Sequence, residues 1–203
     1  MINFGAKILI MCQINIAIFA SGSGTNAENI IKFFTSSKHI KVALVMSNKN
    51  DAYVLERARK LGVPAYNFSP YELNDTILVD EILENFKIDA IVLAGFLMKI
   101  PDRLLNKFPE RILNIHPSLL PKFGGKGMYG AKVHKAVLDS GEQESGITIH
   151  LVDGTYDNGR TLFQSKCNII EGDTPDSLAE RIHSLEYKHF PSVVEEYLVN
   201  LLK

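Results

Sequence analysis

The chain has 203 residues, 46% of them hydrophobic and 22% charged, which is typical of one globular domain and excludes a largely disordered chain. The 22 Lys and Arg residues nearly balance the 23 Asp and Glu residues, for a net charge of −1, so the basic excess that supports nucleic-acid binding is lacking. Cys12 and Cys167 lie too far apart in sequence to indicate a disulfide framework or a zinc motif. These counts predict a soluble, cytoplasmic, single-domain protein without a structural metal.

The amino terminus, residues 1–12, is apolar with one lysine. It lacks the long apolar region and the small-residue cleavage site of a signal peptide. No stretch of the sequence approaches the ~20 apolar residues that a membrane span needs. We interpret residues 1–12 as an extension ahead of the first strand, and we expect a single domain over residues 1–203.

Apolar, β-branched runs alternate with helix-like stretches through the first half of the chain. The expected strands are 14–19, 41–46, 63–67, 89–94 and 111–115, and the expected helices run to about residue 36, over 54–61 and from about residue 75. This alternation indicates βαβ units, and the continuously apolar strands favour a mainly parallel sheet with helices on both faces. The first half therefore predicts a three-layer α/β fold.

The second half predicts two further strands, 147–152 and 161–167, joined by a turn from Asp153 to Arg160. Thr174 and Pro175 are the residue types typical of a helix N-cap and first position. Pro191 is expected to end this helix and to start a last helix through Leu202.

The glycine-rich turn after the first strand, Gly22 to Asn26, is the first candidate site. Its glycines allow close backbone approach, and the following helix offers free N–H groups to a phosphate. Gly22, Gly24 and Ala27 also fit the dinucleotide spacing G-x-G-x-x-G/A, but Ser47-Asn48 stand where that fingerprint expects an acid. A single phosphate is therefore favoured over a dinucleotide, with a purely structural turn as the alternative.

The second candidate site is the segment Asn114 to Pro121 at the end of the fifth strand. Asn114 and His116 are two residues apart in a strand, so their side chains should share one face. An amide donor beside an imidazole suits a reaction that passes through a tetrahedral oxyanion. A core histidine beside a turn-capping asparagine is the alternative.

The functional interpretation of the other polar residues depends on which residues lie near them in the fold. Asp157 raises the pKa of His116 if the two come close in the fold; otherwise it is a turn former. His150, in a strand, is interpreted as structural, and His134 follows a glycine-rich stretch that could act as a lid. Glu186 lies away from the apolar stripe of its helix and, from the residues alone, is expected on the surface.

Five motifs together carry a family resemblance: S-G-x-G-(T/S)-N, L-A-G-F, N-I-H-P-S-L-L-P, H-x-A-(V/L), and D-x-G followed by F-Q. They run from about Asn15 to Leu202, and the chain resembles the folate-dependent formyltransferases, in particular the branch that acts on phosphoribosylglycinamide. The resemblance implies a Rossmann-like formyltransferase fold, with a nucleotide-binding half at 13–110 and a folate-binding, catalytic half at 111–203.

The same resemblance implies transfer of the formyl group of 10-formyltetrahydrofolate, as co-substrate, to the amine of 5-phosphoribosylglycinamide in de novo purine biosynthesis. It implies small-molecule substrates for a monomer or homodimer, without metal, nucleic acid or membrane. The implied catalytic residues are Asn114, His116 and Asp157, with His116 as a cation. The implied ribonucleotide-binding residues are Gly24, Thr25, Asn26 and Glu186. The implied folate-binding residues are Leu97, Met98, Lys99, Ile100, Asn114, Asp153, Gly154, Thr155, Tyr156 and Asp157.

The sequence also departs from that family pattern. Relatives often have Met-Arg near Leu97 to Lys99 and a proline at Arg160, and the stretch Gly124 to Gly130 is longer here. Among rival activities, methionyl-tRNA formyltransferase is expected to need a tRNA-binding domain and a basic surface, and formyltetrahydrofolate deformylase an amino-terminal regulatory domain. A sugar-nucleotide formyltransferase, a nicotinamide oxidoreductase and a non-catalytic folate- or nucleotide-binding module stay open as alternatives.

Overall fold

A computed structural model describes residues 13–202, so the proposed extension at 1–12 lies almost wholly outside the described residues. The strands are β1 (Ile14–Phe19), β2 (Ile40–Ser47), β3 (Ala65–Asn67), β4 (Ala90–Leu93), β5 (Ile112–His116), β6 (Glu144–Leu151) and β7 (Thr161–Asn168). They form one seven-stranded sheet in the order β3-β2-β1-β4-β5-β6-β7. Strands β1 to β5 pair in parallel, and β6 and β7 add antiparallel pairs. The predicted mainly parallel α/β fold is confirmed.

Helices cover both faces of this sheet. They are α1 (Thr25–Phe34), α2 (Tyr53–Lys60), α3 (Pro70–Asp75), α4 (Leu78–Asn85), α5 (Asp102–Lys107), α6 (Ala131–Asp139) and α7 (Pro175–Leu201). Alternate residues of β1 serve two separate cores: Ile16 and Ile18 pack in the core under α1, α2, α6 and α7, whereas Ala17 and Phe19 pack in the core under α3, α4 and α5. A strand buried on both faces explains why its sequence is continuously apolar.

Several helices differ from the sequence prediction. The helix expected from about Asp75 is α4, which begins at Leu78. A further short helix, α3, precedes it, with a capping box between Ser69 and Glu72 and with Pro70 in its first turn. Helices α5 and α6 were not predicted. Helix α5 has six residues, too few for an apolar period to stand out from a loop. Helix α6 has nine residues and directly follows the glycine-rich stretch Gly124 to Gly130, a composition typical of a loop.

Helix α7 runs without a break through Pro191, so the prediction of two helices there is wrong. Proline has no N–H, and the carbonyl it leaves without a helical partner is that of Tyr187, four residues earlier. The Asn29 side chain, from α1, donates a hydrogen bond to this Tyr187 oxygen at 2.9 Å. An external donor thus replaces the missing helical hydrogen bond.

This replacement is testable by a double-mutant cycle. We expect Asn29→Ala to lower the free energy of unfolding by about 0.5–1.5 kcal/mol, the usual net value of one hydrogen bond. In a Pro191→Ala background the helix regains its own N–H donor, so the same Asn29→Ala change should cost much less. Urea unfolding of the four proteins measures the coupling, and equal costs in both backgrounds would show that Asn29 does not serve this carbonyl.

The strand order also determines where a site can form. Strands β1, β4 and β5 are neighbours and parallel, so their carboxyl ends lie at one edge of the sheet. The antiparallel β6 then brings His150 opposite Asn114 and Thr148 opposite His116. Within residues 13–202, no helix is both long enough and apolar enough to span a membrane.

Candidate active site

A cavity of about 570 Å³ lies at the carboxyl edge of β1, β4 and β5. The glycine-rich turn Gly22 to Asn26 lines one end, and His183 and Glu186 of α7 also border the cavity. Asn114, His116 and Asp157 line the same cavity. The three polar side chains expected to act together therefore face one space.

The Asn114 side chain forms a hydrogen bond with His150, a residue that the sequence alone indicates to be structural. The Asn114 Nδ2 and His150 Nε2 atoms are 3.0 Å apart, and His150 Nδ1 lies 2.7 Å from the Leu151 carbonyl oxygen. A carbonyl only accepts, so His150 Nδ1 carries the proton and, in the neutral ring, Nε2 accepts from the Asn114 amide. One amide hydrogen is thereby used, and the other stays available for a developing oxyanion. Only the β5–β6 register could have pointed to this pairing.

His116 is buried, with 3% of its surface exposed. Its Nε2 donates to the Phe123 carbonyl oxygen at 2.8 Å, and its Nδ1 is 3.5 Å from Asp157 Oδ2. Burial lowers the pKa of His116, and although Asp157 and the Phe123 carbonyl raise it, the result is a pKa below the ordinary value. His116 is therefore neutral near neutral pH, in contrast to the cation expected from the sequence, because desolvation outweighs the nearby carboxylate.

Asp157 lies in the turn between β6 and β7 with a φ of 54°. One carboxylate oxygen, Oδ2, accepts a hydrogen bond from the Gly125 N–H at 2.8 Å, and the other, Oδ1, is 3.7 Å from His150 Nε2. Burial raises the pKa of Asp157, whereas His150 and His116 in their protonated forms, and the Gly125 N–H in any state, lower it, and the net pKa is below the ordinary value. Asp157 is thus a carboxylate close to both His116 and His150. From the sequence, Asp157 is interpreted as functional only if it lies near His116, and it does.

The loop after β5 is folded back so that its Phe123 carbonyl reaches His116. The Thr148 hydroxyl donates to the Ser118 carbonyl at 2.7 Å and accepts from the Leu120 N–H at 2.9 Å. The Ser118 hydroxyl in turn donates to the Lys122 carbonyl at 2.9 Å. These bonds fix the backbone that orients the imidazole.

The glycine-rich turn and α7 meet at the far end of the cavity. The Asn26 amide donates to Glu186 Oε2 at 2.7 Å. Glu186 is 5% exposed, so the surface position expected from the residues alone is wrong. Burial raises the pKa of Glu186, against smaller opposing effects of Asn26 and His183. Gly24 and Thr25 line the cavity at the start of α1, where free backbone N–H groups favour an anion.

Gly24 is constrained by both its backbone and its neighbour. Its φ is +76°, and a Cβ there would lie 2.4 Å from Val54 Cγ2. We expect Gly24→Ala to lower the free energy of unfolding by about 1–3 kcal/mol, since the added methyl is both strained and overpacked. Gly22→Ala is the matched control, because a Cβ at Gly22 meets no atom within 4 Å. Equal destabilisation of the two variants in urea would contradict this account.

The segments expected to bind folate border two cavities that share lining residues. Leu97 lines the main cavity. A second cavity of about 60 Å³ shares Asn114, Tyr156 and Asp157 with it. The further expected residues that line the second cavity are Met98, Lys99, Ile100, Asp153 and Thr155. Gly154 lines neither cavity.

Arg160, which stands where relatives often have proline, lies at the end of the turn between β6 and β7 and contacts two polar side chains. It lies 3.1 Å from Glu110 Oε1 and 3.3 Å from the Tyr197 hydroxyl. Because Arg160 and Glu110 are largely exposed, this ion pair contributes little to stability. No cluster of His, Cys, Asp and Glu suited to a metal ion occurs within residues 13–202.

Comparison with known proteins finds relatives whose sequences match about nine tenths of this chain. The chain is 45% identical over 186 residues to a protein of Arabidopsis thaliana named phosphoribosylglycinamide formyltransferase, chloroplastic; the match covers 88% of this chain and 63% of that protein. It is 37% identical over 188 residues to the phosphoribosylglycinamide formyltransferase of Bacillus subtilis, with 90% of this chain and 93% of the relative covered. The chain thus spans less than two thirds of the plant relative's length.

A solved structure is also similar to this chain, in both fold and sequence. The crystal structure of glycinamide ribonucleotide transformylase 1 from Geobacillus kaustophilus superposes with a TM-score of 0.83 at 35% identity, covering 92% of this chain and 99% of that one. The family model described as formyl transferase matches residues 14–194. The chain therefore belongs to the formyl transferase family.

Proposed function

We propose that the protein is a phosphoribosylglycinamide formyltransferase, which moves the formyl group of 10-formyltetrahydrofolate to the amine of 5-phosphoribosylglycinamide in purine biosynthesis. The observation that carries this proposal is the convergence of Asn114, His116 and Asp157 on one cavity. An anion-binding turn lies at one end of that cavity, and a second small cavity adjoins it. The names of the relatives support the same activity.

The proposed positions of the two substrates follow from the chemistry of the cavity walls. The ribonucleotide phosphate binds the N–H groups at Gly24 to Asn26, and buried Glu186 faces the sugar. The folate ring binds between the segments Leu97 to Ile100 and Asp153 to Asp157. Its formyl carbon then lies beside Asn114 and His116, within reach of the amine.

The reaction begins when the neutral amine attacks the formyl carbon. A carbon–nitrogen bond forms, and the carbonyl electrons move to oxygen. The free amide hydrogen of Asn114 stabilises this oxyanion, while His150 occupies the other hydrogen and so holds the amide in orientation. A preorganised donor of this kind lowers the barrier without reorganisation during the reaction.

The proton of the attacking amine has a short route to the leaving nitrogen. His116 is neutral and its Nδ1 faces Asp157, so this nitrogen accepts the proton as the tetrahedral intermediate forms. The Asp157 carboxylate stabilises the imidazolium. His116 then gives the proton to the departing folate nitrogen, the carbon–folate bond breaks and the carbonyl re-forms. One proton leaves the amine and one reaches the folate, so the step balances.

Other features of the assignment stay predictions from the sequence. These are one domain with a nucleotide-binding half at 13–110 and a folate-binding half at 111–203, a monomeric or homodimeric state, and a cytoplasmic location. Small-molecule substrates are supported by the size of the cavity, about 570 Å³.

The test is direct. The protein is incubated with 10-formyltetrahydrofolate and 5-phosphoribosylglycinamide, and the absorbance of the deformylated folate is followed. We expect release of folate only when the ribonucleotide is present. Release without any acceptor would indicate a deformylase, release only with an amino-sugar nucleotide would indicate a sugar-nucleotide formyltransferase, and no release with any acceptor would contradict formyl transfer.

A further inference from the structure

His134, on α6, is a buried histidine in the main cavity that the proposed reaction does not use. It is 3% exposed and lines the cavity together with His116, His183 and Glu186. Within residues 13–202, its Nδ1 is fully enclosed and has no hydrogen-bond partner. Buried polar atoms normally have such a partner. His39 Nδ1 is another exception, but His39 does not line the cavity, so it is the combination of an unpartnered ring and a place in the cavity wall that calls for an explanation at His134.

The protonation of His134 follows from its surroundings. Burial, with smaller effects of His183 and His116, lowers the pKa of His134 to about 4, so the ring is neutral near neutral pH. A neutral imidazole has one N–H donor and one acceptor nitrogen. A buried N–H without a partner is costlier and rarer than a buried lone pair, which places the single proton on Nε2 rather than on the enclosed Nδ1.

His134 lines the cavity, and its Nδ1, but not its Nε2, is an enclosed atom without a partner within residues 13–202. We therefore take Nε2 as the ring nitrogen that reaches the cavity. His134 therefore presents an uncharged N–H donor to whatever occupies the cavity. His183 and His116, whose charges both lower its pKa, line the same cavity as His134. The wall that holds His134 thus also holds His183 and Glu186 of the phosphate end and His116 of the reacting end.

We propose that His134 is a substrate-binding residue whose Nε2–H donates a hydrogen bond to a neutral oxygen in the middle of the ribonucleotide, on the sugar or on the glycinamide carbonyl. This inference rests on the proposed function, because it takes the ribonucleotide as the occupant of the cavity. An uncharged N–H suits a neutral oxygen acceptor, because it forms a directional hydrogen bond without placing a charge in a buried site.

Three substitutions separate hydrogen bonding from packing. His134→Leu fills the space without a donor, His134→Gln places an amide N–H near the Nε2 position, and His134→Asn places it near Nδ1, away from the cavity. We expect the Leu and Asn variants to bind the ribonucleotide about tenfold to a hundredfold more weakly. The Gln variant should stay within about threefold of the unaltered protein.

The readout is calorimetric titration with 5-phosphoribosylglycinamide in the absence of folate, together with the melting temperature of each variant. His39→Leu is the matched control, because His39 also has a buried Nδ1 without a partner within residues 13–202 but does not line the cavity. Wild-type affinity in all three His134 variants, or equal losses in the Gln and Leu variants, would overturn the proposal.

Smaller ligands locate the contacted oxygen. A loss of affinity for ribose 5-phosphate as large as that for the ribonucleotide assigns the bond to the sugar, and a loss seen only with the ribonucleotide assigns it to the glycinamide. An equal loss for inorganic phosphate would overturn the assignment to the middle of the substrate. Since these titrations need no turnover, ribonucleotide binding that persists without formyl transfer would refute the proposed function while leaving the His134 contact measurable.

Discussion

Asn114→Ala should lower kcat by about 10²–10³-fold, the usual loss when one oxyanion-hole donor is removed and equivalent to about 2.7–4 kcal/mol of transition-state stabilisation. The half-buried amide lies beside His150 and lines the cavity, and one of its hydrogens has no partner within residues 13–202. Because the oxyanion exists only during the reaction, KM for both substrates should change much less than kcat. Steady-state kinetics with each substrate varied in turn measures the two effects separately.

The control for this variant removes an equivalent amide elsewhere. Asn74→Ala deletes an exposed side chain of α3 whose only hydrogen bond within residues 13–202 is to the Pro70 carbonyl, and we expect its kcat to be unchanged. Asn114→Ala also leaves the His150 ring without its amide donor, so its melting temperature should be measured alongside. Near-native turnover by a folded Asn114→Ala protein would remove Asn114 from the reaction.

Asp157→Asn is the second change with a large expected effect. The carboxylate stabilises the imidazolium form of His116, so its loss favours the neutral ring and the pKa of His116 should fall further below its ordinary value. We expect turnover to drop by about 10²–10⁴-fold, the range for impaired general acid–base catalysis. The acidic limb of the kcat/KM profile that His116 contributes should move to lower pH.

An NMR titration of the His116 ring in the two proteins tests this coupling without turnover. Asp139→Asn is the control, since Asp139 is an exposed carboxylate paired with Lys135 on α6, and it should leave the His116 titration unchanged. An Asp157→Asn protein in which His116 titrates at the same pH as before, or at a higher pH, would contradict the stated role of the carboxylate.

Local pattern was enough to predict the sheet and part of the site. Strand β1 is continuously apolar because alternate residues enter two cores, and this pattern led directly to the α/β fold. The two-residue period likewise predicted that Asn114 and His116 share a face, and both line the cavity. These features depend on residues next to each other in the chain, which is where periodicity is informative.

Features that depend on distant contacts could not be predicted from pattern alone. The continuity of α7 through Pro191 needs Asn29 from another helix. The neutral state of His116 depends on how much protein surrounds the ring, and the pairing of Asn114 with His150 depends on the β5–β6 register. The position of Glu186 in the cavity was implied only by resemblance, because its place on the helix by itself favoured solvent.

The central claim is that one cavity brings a formyl carbon and an amine together beside Asn114, His116 and Asp157. Labelling the formyl carbon of 10-formyltetrahydrofolate with ¹³C and recording carbon NMR spectra during the reaction follows that atom itself. The label should appear on the glycinamide nitrogen of the ribonucleotide with the unaltered chain and at a rate reduced at least a hundredfold with His116→Ala. Label that ends as free formate, or that reaches the amine equally fast in both proteins, would contradict the claim.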